Sequence, residues 1–328
     1  MPEHITLTEE ELTQGRYVIE QDAPTVEPID KTDRDVGALR DVQTGLDLLQ
    51  QSLDQRAKEF GVVAPKLERP IFPRVLTDAH FEVLKGVFGS GNLEPFVIPK
   101  PGQLTEDYFK MMYPDNWTHE DEVRGLRSFF PRHFLEQVVS HKTGPESETW
   151  KDAYLRVFRQ ESREHRDSII LTESIIKPEE KLMNAQQYGS TEGEDEALDP
   201  LLPLIKSVFG PSSNRFAHTH QDITNKLLPA VKEQITRNFV AKGLMVPNFD
   251  VILTPALVSN LQTTLFHPEN SITEPDEWSC SSLLGQDGSV LDSRIVVGSC
   301  REGGAAYVAF SGSVNPFCGF RLSVVIRP

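Results

Sequence analysis

Three thiols and two closely spaced imidazoles are the residues of this 328-residue chain whose types most readily do chemistry. Cys280, Cys300 and Cys318 all lie in the last fifth of the chain, are odd in number, and include no C-x-x-C pair. That spacing disfavours a disulfide framework and a structural zinc site, and reads as reduced thiols serving as small apolar groups. His218 and His220 in "FAHTHQD" stand two apart, a spacing that a helix sends to different faces. The other histidines are single. The acids of "TEGEDEALDP", from Thr191, lack the ligand spacing and glycine of a calcium loop, and read as a solvated turn. Neither a G-x-S-x-G nucleophile turn nor a phosphate loop is present. The expectation is a chain with no catalytic set, no metal and no cofactor.

The charge balance narrows the partners. Asp and Glu total 49 against 33 Lys and Arg, a net charge of −16, and no local run of basic residues offsets it. A phosphate backbone would be repelled, so nucleic acid is not an expected partner. An apolar content of 38% with 25% charged residues suits a folded globular body, and no apolar stretch approaches a membrane span. The acidic start "MPEHITLTEEELTQG" lacks the basic and apolar blocks of a secretory signal, so export by the usual route is not expected and the compartment is cytoplasmic or unknown.

The elements that must position any site follow from periodicity. Residues 1–31 show no apolar period and read as a disordered arm. Within 32–62, Leu39, Val42, Leu46, Leu49 and Leu53 recur in steps of three and four, the stripe of an amphipathic heptad helix. Gly45 weakens that helix and Arg56 interrupts its seam, so it either docks on the body or pairs with a second copy through residues 36–60. Prolines 65, 70 and 73 end it and open a body at 63–328. Thr77 caps a helix that stops at Gly89, a short strand starts at Phe96, and Thr105 caps another helix. Ser128–Val139 and Thr149–His165 read as helices, and "SIILTESII" from Ser168 as a strand. A helix ends at Gly210, a long one runs to Gly243, and short strands and turns follow. Helices early and strands late give an α+β fold class.

The last third carries ordered signposts: "NRFAHTHQDITNKL", "VPNFDVILTPALVSNLQTTLFHPENS", Glu277-Trp278-Ser279, Arg294 to Ser299, "GG", and Gly319-Phe320-Arg321. This order resembles the C-type-lectin-like fold of the formylglycine-generating enzyme superfamily. The resemblance implies a C-terminal fold of that kind with helical N-terminal additions. Its frame would include Trp278, Gly303, Gly304, Gly319, Phe320 and Arg321. Arg321, between two apolar residues, needs a buried acceptor, and Glu277 is a candidate. The oxidases of that superfamily use a close pair of cysteines, whereas Cys300 and Cys318 are 18 apart.

From Ser168 onward, phrases such as "NAQQYGSTEGEDEALDPLLPLIKSVFG" and "GGAAYV…CGFRLSVV" are similar to the variable proteins of diversity-generating retroelements. In those proteins a reverse transcriptase rewrites the 3′ end of the gene at adenines, and the lectin-like scaffold displays the altered side chains as a ligand-binding face. Adenine-directed change of AAC or AAT codons never yields Lys, Glu, Gln, Met or Trp. From Gly303 to Pro328 none of these occurs, where average composition would give about five. Buried strands and turns would also avoid most of them. On this resemblance the variable region is about 303–328. Its ligand-binding positions would be Tyr307, Ala309, Phe310, Ser311, Ser313, Asn315 and Phe317, residue types that serve binding loops. The expected partner is a protein or other macromolecular ligand. The alternatives are a divergent enzyme of the superfamily and a structural or assembly protein.

Overall fold

The stripe at Leu39, Val42, Leu46, Leu49 and Leu53 lies on one helix, α1 (Ala38–Phe60). The structure is a computed structural model that describes residues 38–89, 93–112, 150–174, 199–266, 276–284, 288–297, 306–310 and 318–328. The expected arm at 1–31, the helix at Ser128–Val139 and nearly all of the acidic loop from Thr191 fall outside these residues. Leu49 and Leu53 are fully buried in the core, so α1 is a wall of the body rather than an arm carrying a free seam. Arg56 stays in the seam by donating Nε–H to the Met111 carbonyl at 3.1 Å and resting over the Phe60 ring at 4.9 Å. Gly45 has a packing reason: a β-carbon there would collide with the ring of Pro95, on strand β1 (Leu93–Phe96). The body therefore begins at Ala38, and Ala38–Pro328 form one compact unit.

Helix α2 (Asp78–Phe88) starts with a capping box in which His80 takes the place usually held by Glu, accepting the Thr77 N–H at 3.1 Å. Helices α3 (Glu106–Met112) and α4 (Trp150–Glu164) follow. The latter buries Ala153, Tyr154, Val157 and Phe158 on one face, as its periodicity predicts. After α5 (Leu202–Phe209), the long helical run is not one regular helix. A turn at His220–Asp222 is capped by Thr219, whose Oγ1 accepts the Asp222 N–H at 2.9 Å. It leads into a π-helical segment at Ile223–Leu227 and then α6 (Leu228–Ala241). Pro229 lacks the N–H that would continue the α ladder, and just before it Leu228 reaches back five residues to the Ile223 carbonyl.

The strands make an α+β architecture of two four-stranded sheets among the described residues. In the first, of order β1-β2-β8-β3, β2 is Ile169–Glu173, β3 is Phe249–Leu253 and β8 is Leu322–Ile326, and each neighbour is antiparallel. Both β2 and β8 are buried at every residue, which is why "IILTE" and "LSVVI" show no apolar alternation, whereas β3 alternates. The second sheet, of order β6-β5-β4-β7, comprises β4 (Asp276–Leu284), β5 (Val290–Val297), β6 (Ala306–Phe310) and β7 (Cys318–Phe320). Its first three strands form an antiparallel meander, and β7 returns parallel to β4. Helix α7 (Ala256–Leu265) links the sheets between β3 and β4. Among the described residues no helix is long and apolar enough to cross a membrane.

Candidate ligand-binding face and its frame

One residue, Arg321, separates β7 of the second sheet from β8 of the first, so the chain changes sheets there. Its side chain is buried at the crossover. Nε donates to Glu277 Oε2 at 2.6 Å, and Nη1 reaches Gln262 Oε1 on α7 and the Glu173 carbonyl on β2. The Arg321 carbonyl accepts the Thr254 N–H at 3.0 Å, just beyond β3. The expected pairing of Arg321 with Glu277 is present in this geometry, and Gln262 adds a helix to the junction.

A second buried arginine works beside it. Arg215 is 1% exposed and makes fork-like contacts with two carboxylates. Nη1 and Nη2 each lie 2.7 Å from Glu173, while Nε and Nη2 each lie 2.8 Å from Asp199. Burial works against its charge, but Asp199 and Glu173 outweigh it and hold the guanidinium above its ordinary pKa. The same Arg215 donates to the Phe320 carbonyl at 3.3 Å, with its guanidinium carbon 5.5 Å from the Phe320 ring. Glu173 Oε2 also accepts the Leu322 N–H at 2.8 Å. Two arginines and three buried acids thus fix the main chain on both sides of residue 321. A buried array of this kind adds little net stability, because desolvation offsets the attraction, but removing one member strands the others.

The neighbouring residues complete the frame. Phe216 lies so close to Gly319 that a β-carbon there would sit 2.8 Å from the ring, so β7 has glycine at its centre because side chains fill the space beside it. Trp278, buried on β4 opposite Phe320, donates Nε1–H to the His218 carbonyl at 3.0 Å and meets the His220 ring edge-on at 5.9 Å. His218 stacks on Phe209 with ring centres 4.0 Å apart. Burial lowers its pKa, against the opposing pull of the Asn214 carbonyl 2.8 Å from Nε2. Ala217, between Phe216 and His218, has a left-handed φ of 62°, a strained conformation for alanine that turns the segment around β7.

This arrangement brings together Trp278, Gly319, Phe320 and Arg321. Gly303 and Gly304 lie outside the described residues. Of the candidate ligand positions, Tyr307, Ala309 and Phe310 lie on β6, which pairs with β5 at one end of the second sheet's strand order. Tyr307 stands opposite Val296, Ala309 opposite Arg294 and Phe310 opposite Ser293. The two-residue strand period therefore sets Tyr307 and Ala309 at one parity and Phe310 at the other, so the three are not a single row. Ser311, Ser313, Asn315 and Phe317 lie outside the described residues. Cys318 to Ile326 are all buried, which removes the end of the expected 303–328 variable region from any presented face.

Sequence reasoning missed Arg215, Glu173, Asp199 and Gln262. A signal for two of them was available: Glu173 interrupts an apolar strand, and Arg215 precedes a buried Phe216, positions where a charge needs a partner. Burial, with the nearby Glu161 carboxylate adding to it, pushes the Cys280 thiol well above its ordinary pKa, the opposite of what a nucleophilic thiolate requires. Cys318 is buried, and Cys300 lies outside the described residues. Among the described residues no group of three or more His, Cys, Asp or Glu side chains is placed to hold a metal ion. No protein-family model, curated protein or solved structure matches the chain.

Proposed function

We propose that this chain is a ligand-binding protein whose C-terminal segment, rewritten by a diversity-generating retroelement, is displayed on a C-type-lectin-like scaffold. The observation that carries this reading is the frame around the segment. On one side β6 is anchored to β5, and on the other β7 and residue 321 are fixed by Arg215, Glu173, Glu277 and Gln262. A stretch held so firmly at both ends can change its own side chains while the fold stays fixed. The chain order agrees: strands β2 and β8 pair within one sheet, and the β4–β5–β6 meander is inserted between β3 and β8. The diversified positions then fall within 303–317, with Gly319, Phe320 and Arg321 held constant. Ligands on this reading are proteins or other macromolecules, and chemistry at a thiol plays no part.

The reading is tested by sequencing the gene's surroundings. The expected result is a reverse-transcriptase gene beside a near-copy of the 3′ end, with adenines in the copy wherever it differs from the gene within codons 303–317. A neighbourhood with neither would overturn the retroelement reading.

A further inference from the structure

The turn from α4 into β2 holds a buried imidazole with an unpartnered ring nitrogen. His165 is 7% exposed, and its main chain is fully paired: its N–H donates to the Glu161 carbonyl at 2.9 Å, and its carbonyl accepts the Ser168 N–H at 3.1 Å. Ring atom Nδ1, by contrast, is buried with no hydrogen-bond partner. A polar atom left in this way costs stability, and calls for a ligand or a bound water. Burial holds the imidazole below its ordinary pKa, with Arg327 adding to the effect and Glu164 opposing it. The ring is therefore neutral at pH 7, and one of its nitrogens carries a proton.

His165 lines a cavity of about 30 Å³ between the end of α4, the residues that follow β1 and the extended segment before α2. Ser162 steadies one wall by donating Oγ–H to the Pro99 carbonyl at 2.5 Å. The cavity shares Glu68, Arg69, Lys100 and Asp167 with a groove of about 820 Å³, a volume in the range of small-molecule sites. Lys66 lines the groove and Arg166 the cavity. In a chain of net charge −16, four cations thus meet the carboxylates of Glu68 and Asp167 and the carboxyl group of Pro328. Lys100 pairs with Glu68, Arg166 with Asp167 at 3.7 Å, and Arg69 with Asp47 at 2.8 Å. Among the described residues Lys66 makes no ion pair, even though Pro328 borders the same groove.

We propose that this cavity and groove bind a small organic molecule with an anionic group at each end, of the dicarboxylate or phosphorylated-acid class: an oxygen at one end accepts Nδ1–H from His165, and the charge at the other is met by Lys66. A neutral imidazole suits the inner position, because it can donate to an anion without a buried charge of its own. The anion in turn selects the tautomer that carries its proton on Nδ1. The site adjoins the first sheet, whereas β6 belongs to the second, so it stands or falls apart from the proposed ligand face.

The test follows the His165 ring nitrogens by NMR in the full chain as succinate, inorganic phosphate or acetate is titrated into the millimolar range, against sodium chloride at matched ionic strength. The His165 signals are those missing from His165→Leu. Succinate is expected to move Nδ1 to the position of a protonated nitrogen in a neutral ring, and to saturate. Acetate, which has one anionic end, and succinate with Lys66→Gln should each bind about tenfold more weakly or worse. Saturation by phosphate rather than succinate would support the site and assign its inner end to a phosphate group. No change beyond that with sodium chloride would mean a bound water only, and equal saturation in Lys66→Gln an adventitious ion only; either overturns the proposal. Without ligand, His165→Leu should melt no lower than the wild type, since it removes an unpartnered polar atom, and a clearly lower melt would count for a structural histidine and against the site. Should His165→Leu fail to fold, His165→Gln identifies the signals and Lys66→Gln, at an exposed position, decides the outcome.

Discussion

Arg215 and Gly319 are the residues on which the frame depends most visibly. Replacing Arg215 with Ala leaves Glu173 and Asp199 buried without their cation, and the expected loss is about 3–5 kcal/mol in urea denaturation. Arg215→Lys should recover little of it, because an ammonium cannot reproduce two planar forks. Gly319→Ala tests the close approach of Phe216. A β-carbon 2.8 Å from that ring must displace it, with an expected cost of about 1–3 kcal/mol. Phe216→Leu should absorb part of the strain, so the double variant should lose less than the sum of the two single changes. Strict additivity would show that the contact does not restrict Gly319. Cys318, buried on the same strand, donates its thiol to the Gly319 carbonyl at 3.8 Å, a partner open to a serine hydroxyl as well, so Cys318→Ser is expected to leave the urea denaturation midpoint little changed.

Among the elements, α1 and β8 show where the sequence was legible and where it was not. The α1 stripe was readable from spacing alone, as were α2, α4 and β2, because each carries a clear apolar period or a compact apolar run. Whether α1 would dock or associate was not readable, because an apolar stripe is the same for either partner; Pro95 against Gly45 is the contact that decides it. Gly45→Ala is therefore expected to destabilise the protein, although intrinsic helix propensity alone would favour Ala by about 1 kcal/mol. A thermal melt above that of the wild type would show that Pro95 yields. Leu53→Ala should cost about 2–5 kcal/mol, since the side chain is fully buried. The break in the long helix was hidden because Pro229 sits in an otherwise regular amphipathic pattern. The arginine–carboxylate array was hidden for a different reason: Glu173, Glu277 and Arg321 are far apart in the chain, and the β2–β8 pairing of one sheet together with the β4–β7 pairing of the other brings them, with Arg215 and Asp199, into one cluster. Trp278, Phe320 and Arg321 stood out in the sequence as an isolated tryptophan and a charge set between apolar residues, not through periodicity.

For the whole molecule, the proposed ligand face requires a fixed frame beside a segment that tolerates change. Ala38–Pro328 fold as one unit in which the strand Leu322–Ile326 is central to a sheet and buried at every residue. The most direct measurement is a matched pair of urea denaturation curves. One variant combines Ala309→Ser, Ser311→Tyr, Ser313→Asn and Asn315→Ser, and the other is Arg321→Ala. The combined variant is expected to lose no more than about 2 kcal/mol, since presented positions usually shift stability by about 0.5 kcal/mol each. Arg321→Ala, which leaves Glu277 buried without its partner, should lose about 3 kcal/mol or more. If the combined variant unfolds as readily as Arg321→Ala, the segment is core, and the ligand-binding face does not exist.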